Sequence, residues 1–205
     1  MKNWLDKMER RFGRYAIRNL TMYLLAGYAI GYLLSFTMPQ LLTYFTLEPA
    51  LILKGQVWRL LSSVIIPPND NIIFVIFMML LYYSLGNTLE SYWGAFRYNV
   101  YIFSGILFTV IGAFIVNGLI GGITGFGSLY STYYINMSIF LACASIMPDY
   151  QLLLYGIIPI KMKWLAILDV VLLAVDAVQG GLIIRIVIIA SLLNFIIFFF
   201  CVSKQ

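Results

Sequence analysis

The chain has 205 residues, of which 62% are hydrophobic and only 10% charged, and its mean hydropathy is +0.94. A soluble domain carries roughly 45–50% apolar and about 25% charged residues, so this composition excludes an ordinary soluble protein and indicates a polytopic membrane protein. The net charge is +5, but the basic residues concentrate at the N-terminus beside an apolar run, which favours contact with membrane lipids over nucleic acid. The chain contains no histidine, which excludes a Ser–His dyad, a histidine metal ligand and a histidine proton relay. We therefore expect no metal and no cofactor.

The first element in the chain is a basic head, residues 1–15, with the sequence MKNWLDKMERRFGRY. Its apolar residues Trp4, Leu5, Met8 and Phe12 recur at near-helical spacing. This pattern predicts a short amphipathic helix that lies on the membrane surface. Because basic residues accumulate on the cytoplasmic side of membrane proteins, the head also predicts a cytoplasmic N-terminus.

Six apolar segments follow, each close to the roughly 20 residues that a membrane-spanning helix needs. They lie at 16–37, 72–89, 98–120, 130–147, 164–178 and 182–202. The fourth and fifth segments are short, which is typical of helices that neighbours shield from lipid. Six crossings return the C-terminus to the cytoplasm. Residues 1–205 are thus predicted to form a single all-α transmembrane domain, a bundle of six helices.

A long and apolar connection, residues 38–71, joins the first two predicted spans. Ordered loops of this length usually have a functional or structural purpose, and we expect this one to be half-embedded in the outer leaflet. Trp58 and Arg59 are adjacent within it. The five donors of an arginine can satisfy backbone carbonyls at membrane depth, so Arg59 is predicted to fold the loop. The alternative is that Trp58 and Arg59 are ordinary interfacial anchors.

The second predicted span ends in the sequence GNTLESYWGAFR, residues 86–97. Glu90 is costly at this position unless it accepts hydrogen bonds, for instance from backbone N–H groups of the following turn or from Arg97. A structural role is therefore favoured for Glu90.

These two regions together resemble the rhomboid superfamily of six-helix intramembrane proteins. The pattern GQxWR in the long first loop precedes GxxLExxWG at the end of the second span, in the order and positions of that family's motifs. The segment from Met147-Pro148-Asp149 to Trp164 also resembles the family's link between its fourth and fifth helices. The resemblance covers residues 47–164 and implies that Arg59 and Glu90 stabilise the long loop and the turn after the second helix. The motif residues with this structural role are Gln56, Trp58, Arg59, Glu90, Trp93 and Gly94.

The catalytic residues of active rhomboids do not carry over to this chain. Active members have a GxSG serine at the start of the fourth helix and a histidine on the sixth, in the pattern HxxGxxxG. The serine position falls near Tyr133 and the histidine position at Val187, and a serine without an adjacent base is a weak nucleophile. The resemblance therefore implies a pseudoprotease with no catalytic residue, comparable with inactive rhomboids and the Derlins. The positions of the former active site are Ser128, Ser131, Tyr133, Val187, Ala190 and Asn194.

Several polar side chains belong to the same region, near the start of the fourth predicted span. We expect them either to line the former catalytic cavity or to form hydrogen bonds between helices. They are Tyr130, Tyr133, Tyr134, Asn136 and Ser138.

Three charged residues lie within the last two predicted spans. Asp169 and Asp176 share one helix face, but about 10 Å along the helix separates them, which is too far for the shared proton of an aspartyl protease. Asp176 and Arg185 stand symmetrically about Gly180-Gly181. This arrangement predicts a tight turn between the two helices and an intramembrane ion pair between Asp176 and Arg185.

The sequence favours a catalytically inactive rhomboid-like membrane protein whose partners are membrane lipids or transmembrane client proteins. One alternative is a residual serine hydrolase that uses Ser128 or Ser131. A second alternative is a small transporter or channel that uses Asp169, Asp176 and Arg185. We expect a multi-pass protein of a bacterial cell membrane with both termini in the cytoplasm, and its oligomeric state is left open.

Overall fold

The computed structural model describes residues 4–66, 72–122, 124–125, 127–130, 133–154 and 158–202. The chain begins with helix α1, Trp4–Phe12, and a 3₁₀ turn, Gly13–Tyr15. In the structure we use the name head for residues 4–18, which include the described part of the predicted head and the link to α2. Leu5 of α1 is only 2% exposed and packs against the bundle, so the head is folded onto the rest of the molecule as an amphipathic helix.

The first long helix, α2, spans Leu20–Thr37 and covers the first predicted span. The first loop, residues 38–71, follows it. The described part of this loop contains three short helices and a 3₁₀ turn: α3 Pro39–Leu42, α4 Pro49–Ile52, α5 Arg59–Ser62 and the turn Ser63–Ile65. α3 and α4 each begin with proline, whose fixed φ and missing N–H suit the first position of a helix.

The first loop has two apolar sides. Leu47 and Ile52 are buried against the bundle, whereas Leu53, Val57 and Leu61 are largely exposed. Because exposed leucine and valine side chains are favourable in lipid and unfavourable in water, this distribution is typical of a loop that lies partly in the membrane.

Five further helices complete the described part of the bundle. They are α6 Ile72–Trp93, α7 Ala95–Leu119, α8 Tyr133–Ile146, α9 Met162–Gln179 and α10 Gly181–Val202. All six predicted segments are helical, with ends that differ from the prediction by a few residues. Gly94 between α6 and α7 has φ 83° and Gly181 at the start of α10 has φ 68°. Glycine adopts this left-handed conformation without a steric cost, which allows the chain to turn sharply there.

Among the described residues, three helical segments are long and apolar enough to cross a membrane: Leu20–Thr37, Ala95–Leu119 and Gly181–Phe199. The 14 residues of α8 extend for about 21 Å, which is shorter than the roughly 30 Å hydrocarbon core of a bilayer. α9 contains three charged residues, Lys163, Asp169 and Asp176. Within the described residues, the apolar lengths thus support membrane spans for α2, α7 and α10.

A two-stranded antiparallel hairpin between α8 and α9 departs from the all-α prediction. Its strands are β1 Gln151–Leu154 and β2 Ile158–Lys161, with Gln151 opposite Lys161. Strands of four residues are too short to be recognised as apolar runs of membrane-spanning length. The β-branched Ile158 and Ile160 favour extended backbone, and Pro159 is tolerated because each strand of a two-stranded sheet is an edge.

Two apolar clusters stabilise the bundle, and α10 contributes to both as it packs against α7, α8 and α9. The head cluster lies beside α1 and includes Leu5, Trp93 and Phe198, with the Trp93 and Phe198 rings 4.8 Å apart. The loop cluster lies beneath the first loop and includes Leu47, Tyr130, Tyr134, Leu173 and Val187.

Candidate functional site

Glu48 of the first loop connects that loop to the glycine-rich loop after α7. Its side chain is 7% exposed, and its Oε1 accepts hydrogen bonds from the backbone N–H groups of Gly125 (3.0 Å) and Gly127 (2.9 Å). A buried carboxylate is costly unless such donors offset its loss of hydration. The sequence reasoning assigned no role to Glu48. The available signal was an isolated acidic residue between apolar neighbours, immediately before the proline that starts α4.

Gly127 permits the close approach that these hydrogen bonds need. A Cβ atom at this position would lie 2.8 Å from Glu48 Oε1 and 2.8 Å from Thr46 Cβ. These distances are shorter than van der Waals contact, so a larger residue would push the two loops apart.

Arg59 lies beside the same contact and donates hydrogen bonds to three other residues of the first loop. Its side chain is 3% exposed. Nε donates to Oε1 of Gln56 (2.7 Å), and Nη1 donates to the carbonyls of Thr43 (2.8 Å) and Thr46 (3.0 Å). Trp58 is half exposed, and its Nε1 donates to the Tyr44 carbonyl at 3.3 Å. Arg59 thus supplies donors to loop carbonyls, whereas Trp58 lies at the surface of the loop.

Val187 occupies a fully packed position in the loop cluster. It is 2% exposed and belongs to the same cluster as Leu47, Tyr130 and Tyr134. Its isopropyl group has no atom that accepts a proton. The side chains of Ser128 and Tyr133 are not among those described, and Ser131 lies outside the described residues.

Ala190 and Asn194 lie where α10 crosses α7. A Cβ atom added to Gly112 of α7 would lie 3.1 Å from Ala190 Cβ, and one added to Gly105 would lie 3.1 Å from Asn194 Nδ2. Asn194 Oδ1 accepts a hydrogen bond from Ser104 (2.6 Å), and its Nδ2 donates to the Tyr101 carbonyl (3.1 Å). These glycines therefore let α7 and α10 pack closely, and Asn194 adds polar bonds between them.

The polar residues near the start of α8 also bond to other helices. Tyr28 of α2 donates to Asn136 Oδ1 at 3.4 Å, and the Tyr101 hydroxyl donates to the Ser138 carbonyl at 2.8 Å. Of the two roles considered for these residues, the described contacts of Asn136 and Ser138 are those of interhelical hydrogen bonds.

The described donor to Glu90 is neither of the two examples given from the sequence. Glu90 Oε1 accepts a hydrogen bond from the backbone N–H of Asn19 at 2.8 Å. Arg97 instead pairs with Asp6 (2.8 Å) and Glu9 (3.0 Å) of α1. The reason is that the head folds back to α7 and brings two carboxylates to Arg97. No spacing within residues 86–97 reveals this contact.

Trp93 and Gly94 lie at the junction of α6 and α7, where the motif ends. Trp93 is buried in the head cluster, and its ring contacts those of Tyr101 and Phe198. Gly94 provides the left-handed turn, and its N–H donates to the Glu90 carbonyl at 2.9 Å.

The predicted ion pair between Asp176 and Arg185 is wrong, although the tight turn at Gly180-Gly181 is present. Arg185 donates from Nε to the Ala177 carbonyl (2.6 Å) and from Nη2 to the Val178 carbonyl (3.4 Å). The last carbonyls of a helix have no partner within it and attract a positive charge. Arg185 therefore caps the end of α9. Asp176 is half-buried.

A groove of about 410 Å³ lies between α8, α9 and α10. We call it the α9 groove. Apolar side chains make up most of its wall, two alanines among them, and Lys163 is its one charged residue among those described. The residues used below are Leu141, Ala144, Lys163, Ala166, Val170 and Phe195.

A family model described as Eukaryotic integral membrane protein (DUF1751) matches residues 18–202. The chain belongs to this family. The match includes every helix from α2 to α10, so the first loop, the loop cluster and the α9 groove lie inside the family region, and α1 lies before it. No curated protein and no solved structure gives a match.

Membership of this eukaryotic integral membrane family supports the prediction of a membrane protein and conflicts with the expectation of a bacterial cell membrane.

Within the described residues of this family member, no three Asp, Glu, Cys or His side chains come together as metal ligands would. Most of the polar side chains described above bond to backbone groups of neighbouring loops and helices, and these bonds hold the loops and helices in position.

Proposed function

We propose that this chain is a six-span, rhomboid-like membrane protein that does not cleave peptide bonds and that recognises transmembrane segments of client proteins. The observation that carries the proposal is that Arg59 folds the first loop while an aliphatic side chain, Val187, occupies the position that the resemblance assigns to the catalytic base. A hydroxyl in the membrane stays protonated and weakly nucleophilic without such a base.

The rhomboid-like part of the proposal rests on two motif regions and on the contacts of their residues. Gln56 and Arg59 bond to each other and fold the first loop. Trp93 and Gly94 shape the turn after the second long helix. At the positions of the catalytic serine and histidine, the chain differs from the pattern of active rhomboids. The contacts of the motif residues involve neither of these two positions.

The α9 groove is the proposed site for a client helix. Its small side chains, Ala144 and Ala166, permit a second helix to approach the backbone closely, and its apolar walls suit a helix in a groove. α8 is too short to span the full hydrocarbon core, so the bilayer is expected to thin beside the groove, which eases lateral entry of a client.

Photocrosslinking in native membranes tests this proposal. A photoreactive residue at Val170, in the groove, is expected to capture a defined set of membrane proteins, and one at Ile115, on an exposed face of α7, is not. Ala166→Trp fills the groove and is expected to reduce capture from Val170 several-fold. Equal capture from both positions, unaffected by Ala166→Trp, would contradict recognition in the groove.

A second measurement addresses hydrolysis. Purified protein in liposomes is incubated with a model transmembrane substrate and, separately, with a fluorophosphonate probe that labels activated serines. We expect neither cleavage nor labelling. Cleavage that disappears on Ser128→Ala or Ser131→Ala would establish the hydrolase alternative, and ion flux above that of empty liposomes would favour a channel.

A further inference from the structure

The head and the outer face of α7 enclose a second groove of about 380 Å³. We call it the head groove. Its walls are almost entirely apolar and largely aromatic: Phe12, Tyr15, Phe96, Val100, Phe103 and Leu107. In a membrane, walls of this composition are favourable surroundings for an acyl chain.

Two arginines lie at the rim of the head groove because each stacks on an aromatic wall residue. The Arg11 guanidinium lies 5.5 Å from the centre of the Phe12 ring, and that of Arg14 lies 4.7 Å from the centre of the Tyr15 ring. Arg14 Nη2 also donates to the Tyr15 hydroxyl at 2.6 Å. Stacking fixes both guanidinium groups next to the apolar wall and leaves further N–H donors free to bind a ligand.

The acidic residues of the head do not neutralise these arginines. Asp6 and Glu9 both pair with Arg97 of α7, and within the described part of the chain neither Arg11 nor Arg14 forms an ion pair. The rim of the groove therefore carries positive charge.

We propose that the head groove binds an anionic glycerophospholipid, with one acyl chain against the aromatic wall and the headgroup phosphate at Arg11 and Arg14. A planar guanidinium can donate two parallel hydrogen bonds to a phosphate. A free phosphate would leave the apolar wall unused, and a zwitterionic lipid would bring no net charge to the rim. Each arginine near the membrane surface is expected to raise anionic lipid binding about fivefold. This site is separate from the α9 groove, and either can exist without the other.

The test uses the full chain reconstituted in phosphatidylcholine vesicles with a trace of photoactivatable lipid. The probe is phosphatidylserine with a diazirine on one acyl chain, and phosphatidylcholine with the same acyl chain is its matched control. After irradiation, mass spectrometry locates the labelled peptides. We expect phosphatidylserine to label the 96–107 segment at least several-fold more than phosphatidylcholine does.

Two pairs of variants distinguish lipid binding in the head groove from general electrostatic attraction to the protein surface. Arg11→Gln with Arg14→Gln is expected to lower labelling by phosphatidylserine to the level of phosphatidylcholine, whereas Lys161→Gln with Lys163→Gln, which removes the same charge beside α9, is not.

Ala16→Trp fills the groove and should reduce labelling by both lipids, whereas Ala174→Trp on the exposed face of α9 should not. Equal labelling by the two lipids in the unaltered chain, or equal effects of the arginine and lysine pairs, would overturn the proposal.

Discussion

At the scale of single residues, the position of the first loop depends on one buried carboxylate and on a glycine opposite it. Glu48 accepts two backbone N–H groups of the neighbouring loop, and Gly127 leaves the space that those bonds require. Arg59 bonds to Thr46, two residues before Glu48. The two charged side chains therefore stabilise adjacent parts of one loop, and each offsets the cost of its burial by hydrogen bonds.

Replacing Gly127 with alanine should destabilise the protein by about 1–3 kcal/mol, because the added Cβ would force Glu48 and Thr46 to move. The matched control is Gly118→Ala, because a Cβ at that position in α7 would contact no atom within 4 Å. Alanine is a better helix former than glycine, so the control should be neutral or stabilising by up to about 1 kcal/mol. Denaturant unfolding in detergent micelles measures both, and equal effects of the two substitutions would contradict the close approach of the loops.

Asp149, next to the hairpin, should titrate below its ordinary range. A hydrogen bond from Lys161 and then the charge of Lys163, both 3.4 Å away, lower the pKa of Asp149. A carboxyl whose folded pKa is lowered stabilises the folded state above its ordinary pKa, and this stabilisation disappears as the pH falls through the lowered value. A carbon-detected NMR titration in micelles should show this low pKa. Lys161→Gln should raise it, and an unchanged titration in that variant would exclude the pair.

At the scale of elements, apolar packing and two ion pairs to one arginine help to attach the head to the bundle. Leu5 is buried in the head cluster, and Arg97 bonds to Asp6 and Glu9. Such contacts with the bundle stabilise α1, because a nine-residue helix is not stable by itself in water. The head thus folds as part of the bundle, and its basic face remains available on the outside.

Arg97→Gln should loosen the head without unfolding the bundle. The partly exposed ion pairs contribute roughly 0–1 kcal/mol each, so hydrogen–deuterium exchange in residues 4–12 should accelerate up to several-fold while exchange in α10 stays the same. Lys7→Gln removes an exposed charge from the same helix and serves as the control. Equal exchange in both variants would show that Leu5 alone anchors α1.

At the scale of the whole molecule, the six proposed crossings would place the head and the start of α9 on one side of the membrane. Single cysteines are introduced as Lys7→Cys, Lys54→Cys or Lys163→Cys in a chain that also carries Cys143→Ala and Cys201→Ala. In sealed vesicles, an impermeant thiol reagent should label the Lys7 and Lys163 positions from one face and the Lys54 position from the other. Labelling of the Lys54 and Lys163 positions from the same face would contradict six crossings.

The sequence by itself determined the helices, because the requirement for about 20 apolar residues is local and is read directly from the chain. It also identified Arg59 and the turn at Gly180-Gly181, because an arginine in an apolar loop needs acceptors and a glycine pair between two helices permits a tight turn, whereas Gly94 was named only through the resemblance. The hairpin was missed because four-residue strands have no signal in a search for long apolar runs.

Only the tertiary structure decided which partner each charged side chain takes. Glu48 bonds to a loop 77 residues away in sequence, Arg97 bonds to the head 91 residues before it, and Arg185 caps α9 and does not pair with Asp176. A charge in an apolar environment bonds to whichever polar group the packed helices bring within about 3 Å. That group is set by how the helices cross, and residues distant in the chain determine the crossing.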